Sequence, residues 1–213
     1  MTPVPVAVLV SGGGTNFQAL LEALRDSAVA RVARVVASDA DAGALERARG
    51  AGVPTVVLAH PDDAGEVVTA TGDARLVVLA GYVKRIPPAA VAQLRWRVIN
   101  IHPALLPAFG GPGMYGRRVH EAVLASGVAL SGATVHYVDE EYDRGPIIAQ
   151  WPVPVRPGDT PDTLAARVLE VEHRLLPQVV VELARLGVPE RPVRFTAQRS
   201  AFVTGDKLGV EIE

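Results

Sequence analysis

Three short stretches hold residue types that can do chemistry together. In Asn100-Ile-His102-Pro-Ala-Leu-Leu-Pro107 the amide and the imidazole stand two residues apart. At strand spacing such a pair points to one face. An amide donor beside an imidazole suits a reaction at a carbonyl. The Asn can hydrogen-bond a developing oxyanion. The His can move a proton or donate as imidazolium. Pro103 and Pro107 stiffen the exit. A lone His at a strand end is most often an ordinary hydrogen-bonded residue; the neighbouring Asn tips the reading toward function.

Asp139-Glu-Glu-Tyr-Asp143-Arg-Gly-Pro146 packs four carboxylates into five positions. Most such runs are solvated turns. One buried carboxylate among them would orient His102 and raise its pKa, and Asp143, in a tight Gly-Pro turn, is the candidate. Ser11-Gly-Gly-Gly-Thr-Asn16 is the third stretch. Its glycines let the backbone approach an anion, and a helix start adds free N–H groups and a positive dipole end. Thr15 and Asn16 can add side-chain donors. No Gly-Lys-Ser/Thr follows, so this is not a Walker loop; Gly12 and Gly14 fit G-x-G-x-x-G, but Phe17 breaks it. A phosphate monoester site is the reading, with a tight turn and an ordinary cap as the bland alternative. Asp39 could act as a ribose-binding acid.

With no cysteine, no thiolate nucleophile or thiolate metal site is available. There is no G-x-S-x-G elbow, and no His is interleaved with the acidic run, so no metal is expected. Direct transfer of a carbonyl group by positioning and electrostatics is left as the leading chemistry.

The elements that must position these residues follow one rhythm over the first hundred. Val6–Val10, Val32–Ser38, Val53–Leu58, Leu76–Ala80 and Val98–Ile101 are short apolar runs of buried-strand type. Between them lie helical patterns: one carrying Phe17, Leu20, Leu21 and Leu24, then Asp41–Ala51, His60–Gly72 and Pro87–Leu94. The alternation predicts an α/β, doubly wound, mostly parallel central sheet with right-handed crossovers. Ligands of such sheets sit outside the strands' carboxyl ends, where the strand order reverses. The segments after Val10, Ala80 and Ile101 should therefore meet at one cleft. Ala108–Gly116, with four glycines and one proline in nine residues, is an irregular loop. A helix over Val119–Ser126 follows, then strands at Ala133–Asp139 and Ile147–Val155 too close for a crossover helix, hence an antiparallel C-terminal part. A long helix capped by Asp159 or Thr160 runs to about Leu186, with Leu164, Val168, Val171, Leu175 and Val179 on one face and a kink expected at Pro177. Ser200–Glu213 has the pattern of an edge hairpin.

The 213 residues fit one domain, and 49% hydrophobic residues supply a core. A net charge of −2 argues against a binder working by phosphate neutralisation, so no nucleic-acid partner is expected. No run approaches the ~20 apolar residues of a membrane helix, and Met1–Val10 has the pattern of a strand and not of a signal peptide. No membrane partner and a cytoplasmic location are the expectations. The only two asparagines, Asn16 and Asn100, both fall within the motifs.

Together these motifs resemble glycinamide ribonucleotide formyltransferases. The phosphate loop looks like the family's Ser-Gly-x-Gly-Ser/Thr-Asn. Asn100-x-His102-Pro-x-Leu-Leu-Pro107 looks like its catalytic strand end, Thr134-Val-His136 followed by Asp143-x-Gly-Pro146 like its aspartate loop, and Glu172-His173 like a further signature. The resemblance runs from about Val6 to Leu186. It implies a single formyltransferase domain with a Rossmann-like sheet: about 6–100 as the nucleotide- or phosphate-binding half, about 101–186 as the folate and catalytic half, and 187–213 as a C-terminal extension. It implies formyl transfer from 10-formyltetrahydrofolate, as co-substrate and with no metal, to the glycyl amine of glycinamide ribonucleotide in purine biosynthesis. It assigns catalysis to Asn100, His102 and Asp143. The ribonucleotide falls to Gly13, Gly14, Thr15, Asn16 and Glu172, and the folate to Val83, Lys84, Arg85, Ile86, Asn100 and Asp139. The ungapped match puts Lys84 at the family's arginine position; a one-residue slip puts Arg85 there. His120 either borders the substrate or lies on the surface, and His60 is a surface residue. A monomer or homodimer is expected. The alternative activity is 10-formyltetrahydrofolate deformylase; such proteins carry an N-terminal domain for which a first strand at Val6 leaves no room. Methionyl-tRNA formyltransferases share the Asn-x-His feature but carry a C-terminal barrel that this chain is too short to hold. A non-catalytic nucleotide-binding module would leave Asn100, His102 and Asp143 without a shared purpose. A nicotinamide dehydrogenase lacks its third glycine at position 17.

Overall fold

Runs of valine, leucine and alanine form the strands, and the central pair, Val4–Val10 and Leu76–Leu79, is buried on both faces. The computed structural model describes residues 2–195. In chain order it contains β1 (Val4–Val10), α1 (Thr15–Leu24), β2 (Ala30–Ala37), α2 (Ala44–Gly50), β3 (Thr55–Val57), α3 (Ala64–Thr71), β4 (Leu76–Leu79), α4 (Pro88–Gln93), β5 (Val98–His102), α5 (Arg117–Ser126), β6 (Leu130–Tyr137), β7 (Ile147–Pro154) and α6 (Pro161–Arg185). The expected hairpin over Ser200–Glu213 lies outside the described residues.

One seven-stranded sheet runs in the order β3-β2-β1-β4-β5-β6-β7. The first five strands pair in parallel, and β5–β6 and β6–β7 are antiparallel. The sequence reading of a doubly wound parallel sheet with an antiparallel C-terminal part describes this arrangement. The order reverses at β1, between β2 and β4, which is where such sheets bind ligands.

Side-chain alternation divides the core in two. Val6, Val8 and Val10 of β1, with Leu76 and Val78 of β4, belong to one buried cluster with Leu164, Val168 and Leu175 of α6. Ala7 and Leu9, with Val77 and Leu79, belong to the other, with Val67 of α3 and Val91 of α4. On β5 the alternation puts Ile99 and Ile101 with the first cluster and Val98 with the second. Asn100 and His102 follow the parity of Val98. On β6, Ala133, Val135 and Tyr137 join the first cluster, so Thr134 and His136 share the face of Asn100 and His102.

Helix boundaries differ from the sequence pattern at two points. The helix expected from Asp41 starts at Ala44, because the Ala44 N–H donates to the Gly12 carbonyl at 3.1 Å and residues 39–43 turn first. The one expected from His60 starts at Ala64, capped by the Asp63 carboxylate on the Glu66 N–H at 2.7 Å. The long helix is capped by Thr160, which exchanges hydrogen bonds with Thr163 in a capping box. Pro177 lies inside that helix, which is assigned without interruption across it. α6 packs against α1, α5, β6 and β7.

Candidate active site

The carboxyl ends of β4 and β5 and the first turn of α1, which follows β1, open onto one cavity of about 560 Å³. Its wall includes Asn16, Gly81–Val83, Asn100–Pro103, His120, Asp143 and Glu172, together with Gly111–Arg117 of the glycine-rich loop. The convergence expected of the segments after Val10, Ala80 and Ile101 is therefore present.

Asn100 faces His136 across the antiparallel β5–β6 pair, where the two residues are in register. The His136 Nδ1 lies 2.8 Å from the Tyr137 carbonyl. A carbonyl only accepts, so Nδ1 carries the proton. In the neutral ring Nε2 then accepts from the Asn100 amide nitrogen, 3.1 Å away. This bond turns the Asn100 amide NH2 toward its partner, and one N–H per amide suffices for it. The second amide hydrogen remains for a ligand.

His102 is held from both sides. Its Nε2 donates to the Phe109 carbonyl at 2.9 Å, and its Nδ1 lies 3.6 Å from Asp143 Oδ2. Both ring nitrogens thus face acceptors, which favours the imidazolium. Burial opposes it and prevails: His102 titrates below the ordinary histidine value, against the upward pull of Asp143 and the Phe109 carbonyl. Asp143 is the converse. Burial pushes its pKa up, but the neighbouring His136 ring, the charge of His102 and the Gly111 N–H together bring it below the ordinary carboxylate value. The Gly111 N–H donates to Oδ2 at 2.8 Å, and Oδ1 lies 3.5 Å from His136 Nε2. Asp143 stays ionised between two imidazoles.

Backbone strain marks this corner. Phe109 and Asp143 adopt φ of 57° and 56°, a left-handed conformation that non-glycine residues reach at a cost. One turn aims a carbonyl at His102 and the other aims a carboxylate at it. Gly145 lets the Asp143 turn close, because a Cβ there would collide with the Tyr137 carbonyl oxygen.

The opposite wall is built on α1 and α6. Gly14 ends the phosphate-like loop at φ 74°, against Ala44, and no side chain caps the helix. The first N–H groups of α1 are left for an anion. Asn16 is buried, and its amide donates to Glu172 Oε2 at 2.7 Å. One amide N–H is thereby engaged by the protein; the sequence reading gave Asn16 to a phosphate. The Asn16 Oδ1 is buried with no partner among the described residues, an acceptor awaiting a hydroxyl or amine. Burial raises the Glu172 pKa to about 7, against the Asn16 bond, which lowers it.

Of the residues singled out in the sequence, Asn16, Val83, Asn100, His102, Asp143 and Glu172 share the cavity wall. Gly13, Gly14, Thr15, Lys84, Arg85, Ile86 and Asp139 lie off it. The Gly13 carbonyl accepts from Arg47 Nε at 2.8 Å, bracing the loop from α2. Arg85 donates to the Glu140 carbonyl at 2.6 Å and lies 5.8 Å over the Tyr142 ring, joining the segment after β4 to the aspartate loop. Lys84 is exposed, and Ile86 is buried in the second core cluster. Asp139 accepts from the Glu141 N–H at 3.0 Å, closing its own turn. Asp39 does the same with the Asp41 N–H at 2.9 Å.

His136 and Phe109 complete this corner and carried no site role in the motif reading. The register of β6 on β5 would have placed His136 opposite Asn100. No sequence signal marks the Phe109 carbonyl. His120 is buried on the cavity wall, with an unpartnered Nδ1 and a pKa lowered by burial and by His102. Of the two readings of His120, the bordering one describes its place. His60 is exposed. Among the described residues no group of three or more His, Asp or Glu side chains is arranged to hold a metal ion, and no helix is long and apolar enough to cross a membrane.

The family model described as "Formyl transferase" matches residues 4–180. The chain is 46% identical over 186 residues to a chloroplastic phosphoribosylglycinamide formyltransferase of Arabidopsis thaliana, covering 82% of this chain and 63% of the relative. It is 37% identical over 209 residues to the phosphoribosylglycinamide formyltransferase of Escherichia coli, covering 91% and 94%. The crystal structure of the Anaplasma phagocytophilum phosphoribosylglycinamide formyltransferase superposes with a TM-score of 0.80 at 37% identity, covering 86% of this chain and 88% of that one. The chain spans 60–63% of the length of the two plant relatives it matches.

Proposed function

Because the chain belongs to the formyl transferase family, we propose that it is a phosphoribosylglycinamide formyltransferase, moving a formyl group from 10-formyltetrahydrofolate to the glycyl amine of glycinamide ribonucleotide. The observation that carries this reading is the shared cavity: the Asn100–His102–Asp143–His136 corner and the Asn16–Glu172 pair face the same space.

The ribonucleotide phosphate sits on the free N–H groups at the start of α1, which meet an anion without a cation. Glu172 and the unpartnered Asn16 Oδ1 take hydroxyl or amine donors of the same ligand. The folate enters beside Val83 and Asn100. The glycyl amine attacks the formyl carbon, forming a C–N bond and a tetrahedral centre. The free Asn100 N–H stabilises the oxyanion. His102 turns its Nε2–H from the Phe109 carbonyl toward the same oxygen or toward N10. The attacking amine loses a proton, Asp143 and His102 shuttle it, and N10 gains one as the formyl C–N10 bond breaks. Reactants held in one cavity need no covalent enzyme intermediate.

The test is a folate-absorbance assay with 10-formyltetrahydrofolate, with and without glycinamide ribonucleotide. Turnover that requires the ribonucleotide is expected. Equal turnover in its absence would make the chain a deformylase, and no turnover at all would overturn the transferase reading.

A further inference from the structure

Ser11 stands where the loops after β1, β2 and β4 meet. Its Oγ lies 2.6 Å from Ser38 Oγ, just past β2, and accepts the Val83 N–H at 3.1 Å, past β4. Its own N–H donates to the Gly81 carbonyl at 3.1 Å, and the Ser38 N–H donates to the Val10 carbonyl at 3.0 Å. One hydroxyl thereby ties together three strand ends on either side of the point where the strand order reverses.

This is not helix capping. The residue before α1 is Gly14, and no side chain caps that helix. The Ser11 hydroxyl is directed away from the anion-binding N–H groups and toward the segment that begins the folate side. Val83 is half exposed and lines the cavity; its amide is fixed by a side chain from the other substrate's loop.

We propose that Ser11 is a positioning residue shared by the two substrate sites: its hydroxyl holds the segment from Val83 onward, so that a residue of the ribonucleotide loop governs folate binding. This rests on the formyl-transfer reading above and adds a route between its two halves. Deleting the hydroxyl frees the Val83 amide and lets the Gly81–Val83 turn shift against the cavity. Because a typical neutral hydrogen bond contributes modestly, the expected rise in folate KM is about three- to tenfold.

Ser11→Ala and Ser11→Thr test this in two ways. In steady-state assays, Ser11→Ala should raise the folate KM by about three- to tenfold with kcat changed less than about threefold, as for a lost ground-state contact. Ser11→Thr, which keeps the hydroxyl, should restore it. A folate KM within twofold of wild type in Ser11→Ala overturns the proposal, whatever happens to the ribonucleotide KM. The second readout needs no turnover: NMR-detected hydrogen exchange at the Val83 amide should accelerate about tenfold in Ser11→Ala and recover in Ser11→Thr. Unchanged exchange also overturns it. If the wild-type chain shows no ribonucleotide-dependent turnover, the functional reading fails, and the exchange rates still decide the role of Ser11.

Discussion

The two walls of the cavity are made of different material. On the α1–α6 side the recognition groups are the Asn16–Glu172 pair and, next to it and off the wall, main-chain N–H groups at an uncapped helix start with glycines clearing the approach. On the β5–β6 side they are the side chains of Asn100, His102, His136 and Asp143, and burial and close contacts set the titration of His102 and Asp143. Main-chain donors do not titrate and survive most substitutions. A cluster of buried titratable side chains loses its tuning when any member changes. The first wall should therefore answer to mutation through binding, and the second through rate and pH.

The largest effect is expected at His102. His102→Ala should lower kcat by roughly 10²–10⁴-fold with KM values little changed, since proton-transfer groups contribute on that scale. Unaltered kcat in a folded variant would dissolve the distinction between the walls. Asp143→Asn comes next, lowering kcat by a smaller factor. The Asp143 carboxylate raises the His102 pKa, and burial lowers it. Without the carboxylate the pKa falls further, so the acidic limb of the kcat–pH profile should move to lower pH. A limb that stays in place would mean that another group sets it.

Asn16→Ala sharpens the other side. It should raise the ribonucleotide KM by about tenfold and leave kcat within a few-fold, because ground and transition states share that contact. A defect confined to folate KM would reverse the assignment of the walls. The last effect is read in stability and leaves the kinetics aside. Glu172 has a folded-state pKa of about 7, above its ordinary 4.5. The folded state therefore binds more protons between those values, and the stabilising contribution is present at low pH and lost as pH rises through 7. Glu172→Gln should remove that loss, gaining up to about 3 kcal/mol on wild type between pH 5 and 8. Parallel Tm–pH curves for the two proteins would place the Glu172 pKa near its ordinary value.

The same contrast explains what could be read from the sequence. The parallel half was legible because each βα unit announces itself locally: a short apolar run, a turn, a helical stripe. Asn100 and His102 were legible as a pair because strand spacing alone puts them on one face. Their neighbours were not. His136 reaches Asn100 only through an antiparallel register set between segments 36 residues apart. The Phe109 carbonyl is a backbone group aimed by a left-handed turn, which no residue type signals. The bond between Asn16 and Glu172 was not legible for the related reason that the two lie far apart along the chain. Helix starts at Ala44 and Ala64 came later than the apolar pattern suggested, because a backbone bond to Gly12 and the Asp63 cap decided them.

The Asn16–Glu172 bond joins residues 156 positions apart. Contacts of such separation form late, after the loop-closure entropy of the intervening chain has been met. During synthesis the glycine loop leaves the ribosome well before α6, the helix that supplies Glu172. The Asn16 side chain is thus made long before the carboxylate that fixes its orientation, and the geometry of the loop is decided by a helix more than a hundred residues further on.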